Sequence, residues 1–258
     1  MDENKKIIVD RFLNNVKGKT FDPTGYNARN DGAEGHWLEV QMGLNPNGTN
    51  EADLLGYEMK KATRSKTTFG DWSPDVSLWG RVCPYDHIPK LHRDNEFLKY
   101  FGKPNATKKN RLSWSGEPAP VINKYNSYGQ TLLVDDNEDI IAAYSYSKDM
   151  RGDKAVLIPD HFKLENLIIA KWLKSSIKGK VERKFNDKGW FKCFKNAAGV
   201  YTHIGFGDPI DYSDWINLVR QGIVFFDSGM YAGNPRPYAQ WRANNNYWDA
   251  LVSEKYGE

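Results

Sequence analysis

The run Glu51-Ala52-Asp53-Leu54-Leu55-Gly56-Tyr57-Glu58-Met59-Lys60-Lys61 sets two carboxylates and an ammonium within a few residues of one another. Side chains two apart on a strand share a face, so Glu58 and Lys60 are expected to project side by side while Tyr57 and Met59 turn into packing. Asp53 arrives just before them, across a bend at Gly56. Two hard oxygen ligands beside an ammonium suit Mg²⁺-assisted hydrolysis of a phosphodiester. The carboxylates fix the ion, the ion polarises the phosphate and acidifies a water, and the lysine orients that water or stabilises negative charge. An isolated Glu-x-Lys is common on solvated strand faces, so the spacing D-x4-E-x-K carries weight only with a second feature beside it.

That feature lies upstream. Gly32-Ala33-Glu34-Gly35-His36-Trp37-Leu38-Glu39-Val40-Gln41-Met42-Gly43 reads as a short helix, with Trp37, Leu38 and Met42 spaced to pack inward and Gly43 placed to end it. Glu39 sits among those apolar residues. A carboxylate beside a packing face is costly unless paired, so Lys60 or a metal-bound water is its expected partner.

Leu38-Glu39, Gly43, Asp53 and Leu55-Gly56-Tyr57-Glu58-Met59-Lys60 together resemble the motif of the MutH-like branch of the PD-(D/E)xK nucleases. In that motif a helix-borne L-E-x3-G precedes D…L-G-x-E-x-K. Within the branch the stretch is most similar to restriction endonucleases of the LlaMI type, and its short gap between Asp53 and Glu58 is like that of MvaI and BcnI. The element before the acid is Glu51-Ala52-Asp53, without the proline of the superfamily name, a departure the MutH-like branch tolerates. Carried over, the resemblance implies metal ligands at Asp53 and Glu58, a catalytic lysine at Lys60 and a supporting carboxylate at Glu39. It further implies Mg²⁺ as cofactor, a C·G-rich double-stranded DNA site of the CCNGG kind, and a cognate DNA methyltransferase in the same restriction-modification system.

A chain of 258 residues can bury a substantial core, as one domain or as two lobes sharing a cleft. The net charge of +3 decides little, because DNA-binding enzymes gather basic residues on one face and keep carboxylates elsewhere. Two isolated cysteines, Cys83 and Cys193, fit neither a zinc site nor a disulfide framework, and five scattered histidines give no zinc spacing. No apolar run approaches spanning length and no signal-peptide core follows the start, so a cytoplasmic location is expected.

The elements that position the motif follow from periodicity. Residues 4 to 17 read as a helix with Ile7, Ile8, Phe12, Leu13 and Val16 on one face, and 18 to 31 as a loop. Residues 61 to 70 read as a basic, hydroxyl-rich loop whose Lys61, Arg64 and Lys66 could hold phosphates. Residues 85 to 103 are expected to contain a charged helical segment around 88 to 93, and 104 to 117 a basic turn region that could touch a DNA backbone. Paired strands are expected at 130 to 135 and 140 to 146 about the acidic turn Asp136-Asn137-Glu138-Asp139, and a helix over 161 to 178 with His161 on its surface.

The C-terminal stretch from Ser228 to Trp248 reads as a Gly- and Pro-shaped loop after a strand at 222 to 227. Arginine can donate two hydrogen bonds to guanine, and asparagine or glutamine can pair with adenine. Arg236, Gln240, Arg242, Asn244 and Asn245, flanked by aromatics, are therefore candidate base readers. The expected fold is an α/β, restriction-endonuclease-like mixed sheet flanked by helices, with two lobes around a DNA cleft. One endonuclease domain spans 1 to 258, with a catalytic lobe over about 1 to 80 and a mainly recognition lobe over about 81 to 258. The expected function is a type II restriction endonuclease acting as monomer or homodimer. A MutH-like repair nickase and a non-catalytic DNA-binding protein are the alternatives.

Overall fold

The computed structural model describes residues 1–27, 32–44, 50–61, 63 and 65–258. Helix α1 (Glu3–Asn15) starts where the Asp2 carboxylate accepts a hydrogen bond from Lys5 N at 2.9 Å, satisfying one of the first-turn amides. Its inner stripe is Ile8, Val9, Phe12 and Val16, whereas Ile7 and Leu13 are 37% and 40% exposed. Helix α2 (Ala33–Gln41) buries Trp37 and Leu38, and Met42 just beyond it is buried too. Strand β1 (Glu58–Lys61) carries the motif.

The chain continues through β2 (Lys66–Asp71), β3 (Val76–Ser77), a π-helical turn (Arg93–Phe97), α3 (Leu98–Phe101), β4 (Lys103–Asn105), β5 (Arg111–Trp114), β6 (Tyr128–Val134) and β7 (Ile140–Asp149). There follow α4 (Lys154–Leu157), β8 (Leu167–Trp172), α5 (Lys174–Phe185), β9 (Trp190–Lys195), β10 (Tyr201–Gly207) and α6 (Tyr212–Arg220). The last elements are β11 (Phe225–Ser228), β12 (Met230–Tyr231), β13 (Ala239–Asn244), α7 (Asn245–Ala250) and β14 (Val252–Tyr256).

Two compact units result. The first comprises Met1–Thr67, Lys180–Tyr212 and Asn244–Glu258, and the second Thr68–Gly179 and Ser213–Ala243. The division thus differs from a single break near residue 80. The reason is the sheet of the first unit, whose order is β1-β9-β10-β14, with β1 parallel to β9 and the other pairs antiparallel. Its partners for β1 come from far along the chain. On one face Phe191, Cys193, Ile204 and Phe206 join the buried residues of α1 and α2 in one core. Register puts Glu58 beside Trp190 and Lys60 beside Lys192 on the opposite face.

The second unit holds the sheets β3-β8-β7-β6 and β12-β5-β4, and most of β11-β13-β2. Its centre is aromatic: Trp172, Trp215 and Trp241 pack edge to face, at centroid distances of 5.3 and 5.5 Å to Trp241. The paired strands about the acidic turn are present as β6 and β7. Other expectations are corrected. Of the described residues between 61 and 70, Lys61 closes β1 and 66 to 70 lie in β2, where Thr67 and Phe69 alternate inward. Within 85 to 103 a charged helical segment is present, but it starts at Arg93 and runs to Phe101 rather than centring on 88 to 93. The expected helix at 161 to 178 is a 3₁₀ turn (Asp160–Phe162), then β8, then α5. The run Leu167-Ile168-Ile169-Ala170-Lys171-Trp172 pairs with β7 because β-branched residues suit a strand buried on both faces. His161 is exposed, as expected. The C-terminal stretch is partly regular, forming β12, β13 and α7.

The turn before β1 is tight. Leu54 and Tyr57 exchange backbone hydrogen bonds at 2.9 Å, and Leu55 and Gly56 between them have φ of 53° and 88°. Two successive left-handed residues make the hairpin turn that matches strand twist. A Cβ at Gly56 would lie 2.3 Å from Asp187 Oδ2. Gly56→Ala is expected to lower stability by about 1–3 kcal/mol through strain and displacement of Asp187. Urea unfolding checks this, and an unchanged midpoint would remove the turn as a constraint.

Candidate active site

The two-residue hairpin turn doubles the chain back so that Asp53 meets the start of β1. Asp53 Oδ2 accepts a hydrogen bond from Met59 N at 2.9 Å. The residue as a whole is open to solvent, yet its carboxyl is crowded by protein and faces Glu58. Desolvation and the Glu58 charge raise its pKa to about 6, against the Met59 amide and the ammoniums of Lys184 and Lys60.

Glu58 is 2% exposed. Its Oε1 accepts from Lys60 Nζ at 2.7 Å and from Lys184 Nζ at 2.9 Å. Burial alone would raise the Glu58 carboxyl, and the two ammoniums outweigh it, holding the group below its ordinary range. Among the described residues, Glu58 Oε2 is buried without a hydrogen-bond partner. Lys60 is buried and lies over the rings of Phe185 and Trp248, with its nitrogen 4.7 and 5.7 Å from their centroids. Burial pulls its pKa down, Glu58 opposes this, and Lys184 adds to the lowering. Lys192, beside Lys60 in register, is itself buried and paired with Asp249 at 2.5 Å.

Glu39 is half-buried on α2, and desolvation raises its pKa. The charges that act on it are His36, then Lys61 and Glu58, and the expected pairing with Lys60 is not among them. The reason is that Lys60 is committed to Glu58. Lys61 runs along α2, where a side chain at Gly35 would come within 3.3 Å of it. Asp53, Glu58, Lys60 and Glu39 are therefore brought together.

Lys184, missed in the sequence, completes the group. Its signal was the stripe Ile177, Val181, Phe185, all buried, which marks a helix running on to residue 185 and carries Lys184 beside the site.

The candidate base readers are placed differently. Gln240 and Arg242 alternate on β13, and Arg242 pairs with Asp227 at 2.9 Å and donates to Gln240. Arg236 is exposed, and its backbone N–H donates to Asn234 Oδ1. Asn244 precedes α7 and makes no capping bond. Asn245 is spent internally: its Oδ1 accepts from the Thr63 and Thr67 hydroxyls and its Nδ2 donates to Thr63 O at 2.8 Å. Lys66 is partly buried on β2, and Arg64 lies outside the described residues.

The mixed sheet backed by helices, with β1 at its edge, is that of a restriction-endonuclease-like fold. A solved structure of the endonuclease MvaI with its cognate DNA substrate superposes with a TM-score of 0.62 at 13% identity, covering 99% of this chain and 98% of that one. Residues 16–256 match the LlaMI restriction endonuclease family. The type II restriction enzyme ScrFI of Lactococcus lactis subsp. cremoris is 45% identical over 269 residues, 98% of this chain and 99% of that protein. The chain belongs to the LlaMI restriction endonuclease family.

The raised Asp53 pKa gives a stability signature. In the unfolded chain the carboxyl ionises near 3.8 and in the folded chain near 6, so the ionised folded form carries a cost that appears between those values and persists above them. Asp53→Asn keeps an acceptor for the Met59 amide and removes the charge. The metal-free variant is expected to melt above the wild type at pH 7 to 8, with the gap closing as pH falls toward 4. Melting temperatures across this range check it, and a gap that widens toward low pH contradicts the assignment.

Proposed function

We propose that Asp53 and Glu58 hold a Mg²⁺ ion with which this type II restriction endonuclease hydrolyses double-stranded DNA at a short specific site. The observation that carries the reading is Glu58 Oε2, a buried carboxylate oxygen without a partner, beside an Asp53 carboxyl raised to about 6. A buried acceptor is costly unless something donates to it or coordinates it. Among the described residues no three His, Cys, Asp or Glu side chains gather as a full ligand set. Two carboxylates suit Mg²⁺, which retains several waters and binds through one or two carboxylates plus phosphate. When bound, the ion would polarise the phosphate and acidify a water.

The chain's own residues supply the rest. Lys60, kept dry by Phe185 and Trp248, offers an ammonium to the attacking water or to the negative charge that develops on the phosphate. Glu39 steadies the site from α2. Lys61 and Lys66, with Arg64, contact phosphates. Arg236 and Asn244 reach base edges directly, and Gln240 and Arg242 do so by exchanging their contacts with each other and Asp227. Asn245 serves as an anchor between the start of α7 and the Thr63 and Thr67 segment. The site read is of the CCNGG kind, a reading supported by the family relationship. The enzyme works in the cytoplasm alongside a cognate methyltransferase, as a monomer or homodimer.

Asp53→Ala and Glu58→Gln are expected to abolish plasmid cleavage in Mg²⁺ while DNA binding in Ca²⁺ persists. Linear product from either variant, with a normal melt, would overturn the ligand assignment. Glu39→Gln is expected to slow cleavage by roughly 10- to 100-fold. Mapping the ends made by the wild type on a sequenced plasmid separates double-strand cutting at CCNGG from nicking.

Base reading has its own test. Arg236→Ala is expected to cost about 1–3 kcal/mol of cognate over scrambled duplex binding, whereas Lys66→Ala weakens both alike. Asn245→Ala should lower the melting temperature with the cognate-to-scrambled ratio intact. Paired titrations in Ca²⁺ decide, and an unchanged ratio for Arg236→Ala removes that residue from base reading.

A further inference from the structure

Each oxygen of a carboxylate offers two lone pairs. On Glu58 both lone pairs of Oε1 are taken, one by Lys60 at 2.7 Å and one by Lys184 at 2.9 Å, and Oε2 is left without a partner. Lys60 is fixed by burial between Phe185 and Trp248. Lys184 comes from α5, whose inner residues Ile177, Val181 and Phe185 are all buried, so its ammonium is held at Oε1 by a rigid element. We propose that Lys184 is a positioning residue that selects the metal: by occupying the second lone pair of Oε1 it leaves Glu58 a single oxygen to give. The inference rests on the assignment of Asp53 and Glu58 as ligands.

The consequence follows from the coordination habits of the two common hard cations. Mg²⁺ is small and keeps near-octahedral geometry with several waters, and one oxygen from each of two carboxylates satisfies it. Ca²⁺ is larger, takes more oxygens and readily accepts both oxygens of one carboxylate. A Glu58 with Oε1 occupied therefore disfavours Ca²⁺ relative to Mg²⁺. Charge acts differently. The Lys184 ammonium repels either divalent ion, so neutralising it raises affinity for both by a similar factor and leaves the ratio alone. Selectivity and charge are thus separable by the choice of substitution.

The test uses the whole metal-free protein without DNA and reads Mn²⁺ binding by the loss of its free-ion EPR signal. Competition with Mg²⁺ and Ca²⁺ gives both affinities and their ratio. Lys184→Gln removes the charge and keeps a donor for Oε1, whereas Lys184→Met removes both, and Lys184→Ala replaces the Met variant if that fails to melt cooperatively. The Met or Ala variant is expected to shift the ratio toward Ca²⁺ by about tenfold, the scale on which groups that orient a ligand act. The Gln variant is expected to bind both ions more tightly at the wild-type ratio. A ratio unchanged in the Met and Ala variants, or shifted equally in the Gln variant, overturns the role given to Lys184 while leaving the ligands standing. If wild-type Mn²⁺ binding is absent, or survives Asp53→Ala and Glu58→Gln, the ligand assignment fails and this inference with it.

Discussion

A carboxylate taken out of water must have its charge answered, and much of the first unit is arranged to answer that of Glu58. Its Oε1 receives two ammoniums from elements far apart in sequence, β1 and α5. Losing one partner of a buried pair costs about 3–5 kcal/mol because the other charge is left bare, so the strand and the helix constrain each other. The opposite face of the same sheet is an ordinary apolar core. The polar face needs a dry cover that still tolerates cations, and aromatic rings supply it: Phe185 and Trp248 lie against the Lys60 ammonium, and Trp190 packs edge to face on Trp248. Formal charges on Asp53, Glu58, Lys60 and Lys184 cancel.

The local part of this design is legible in the sequence. Alternation along β1, the Leu55-Gly56 turn and the inward spacing of Trp37, Leu38 and Met42 are all short-range features, and each appears where period and turn chemistry place it. The long-range part is not. Nothing near Glu58 announces that β9 pairs beside it in parallel or that Lys184 reaches its carboxylate, because those contacts span more than a hundred residues. The segment 161 to 178 shows the other weakness. Leu164, Leu167, Ile168 and Trp172 fit a helical period, yet the β-branched run inside it is a strand held by β7, and the helix begins only at Lys174. The charges around Glu39 were not legible, since which of two adjacent lysines comes near it depends on which way each faces.

The site is correspondingly assembled from distant parts of the chain. The first unit is built from three segments, and the stretch from Thr68 to Gly179, which belongs to the second unit, separates Lys60 from Lys184. Loop closure over such distances is slow and must be paid in entropy before the contacts return anything. Trp248 and Asp249, which cover Lys60 and pair with Lys192, lie within the last segment of the chain. Asp53, Glu58 and Lys60 therefore gain their cover and second ammonium from residues more than a hundred positions further along the chain.

The proposed reading surface is governed by a similar balance of charge, at a different cost. Arg242 has internal partners in Asp227 and Gln240, so a guanine edge must replace an ion pair rather than merely displace water. Such an exchange is favourable only when the incoming acceptors match both ends of the guanidinium fork, which makes a wrong base more costly than it would be for an unengaged side chain.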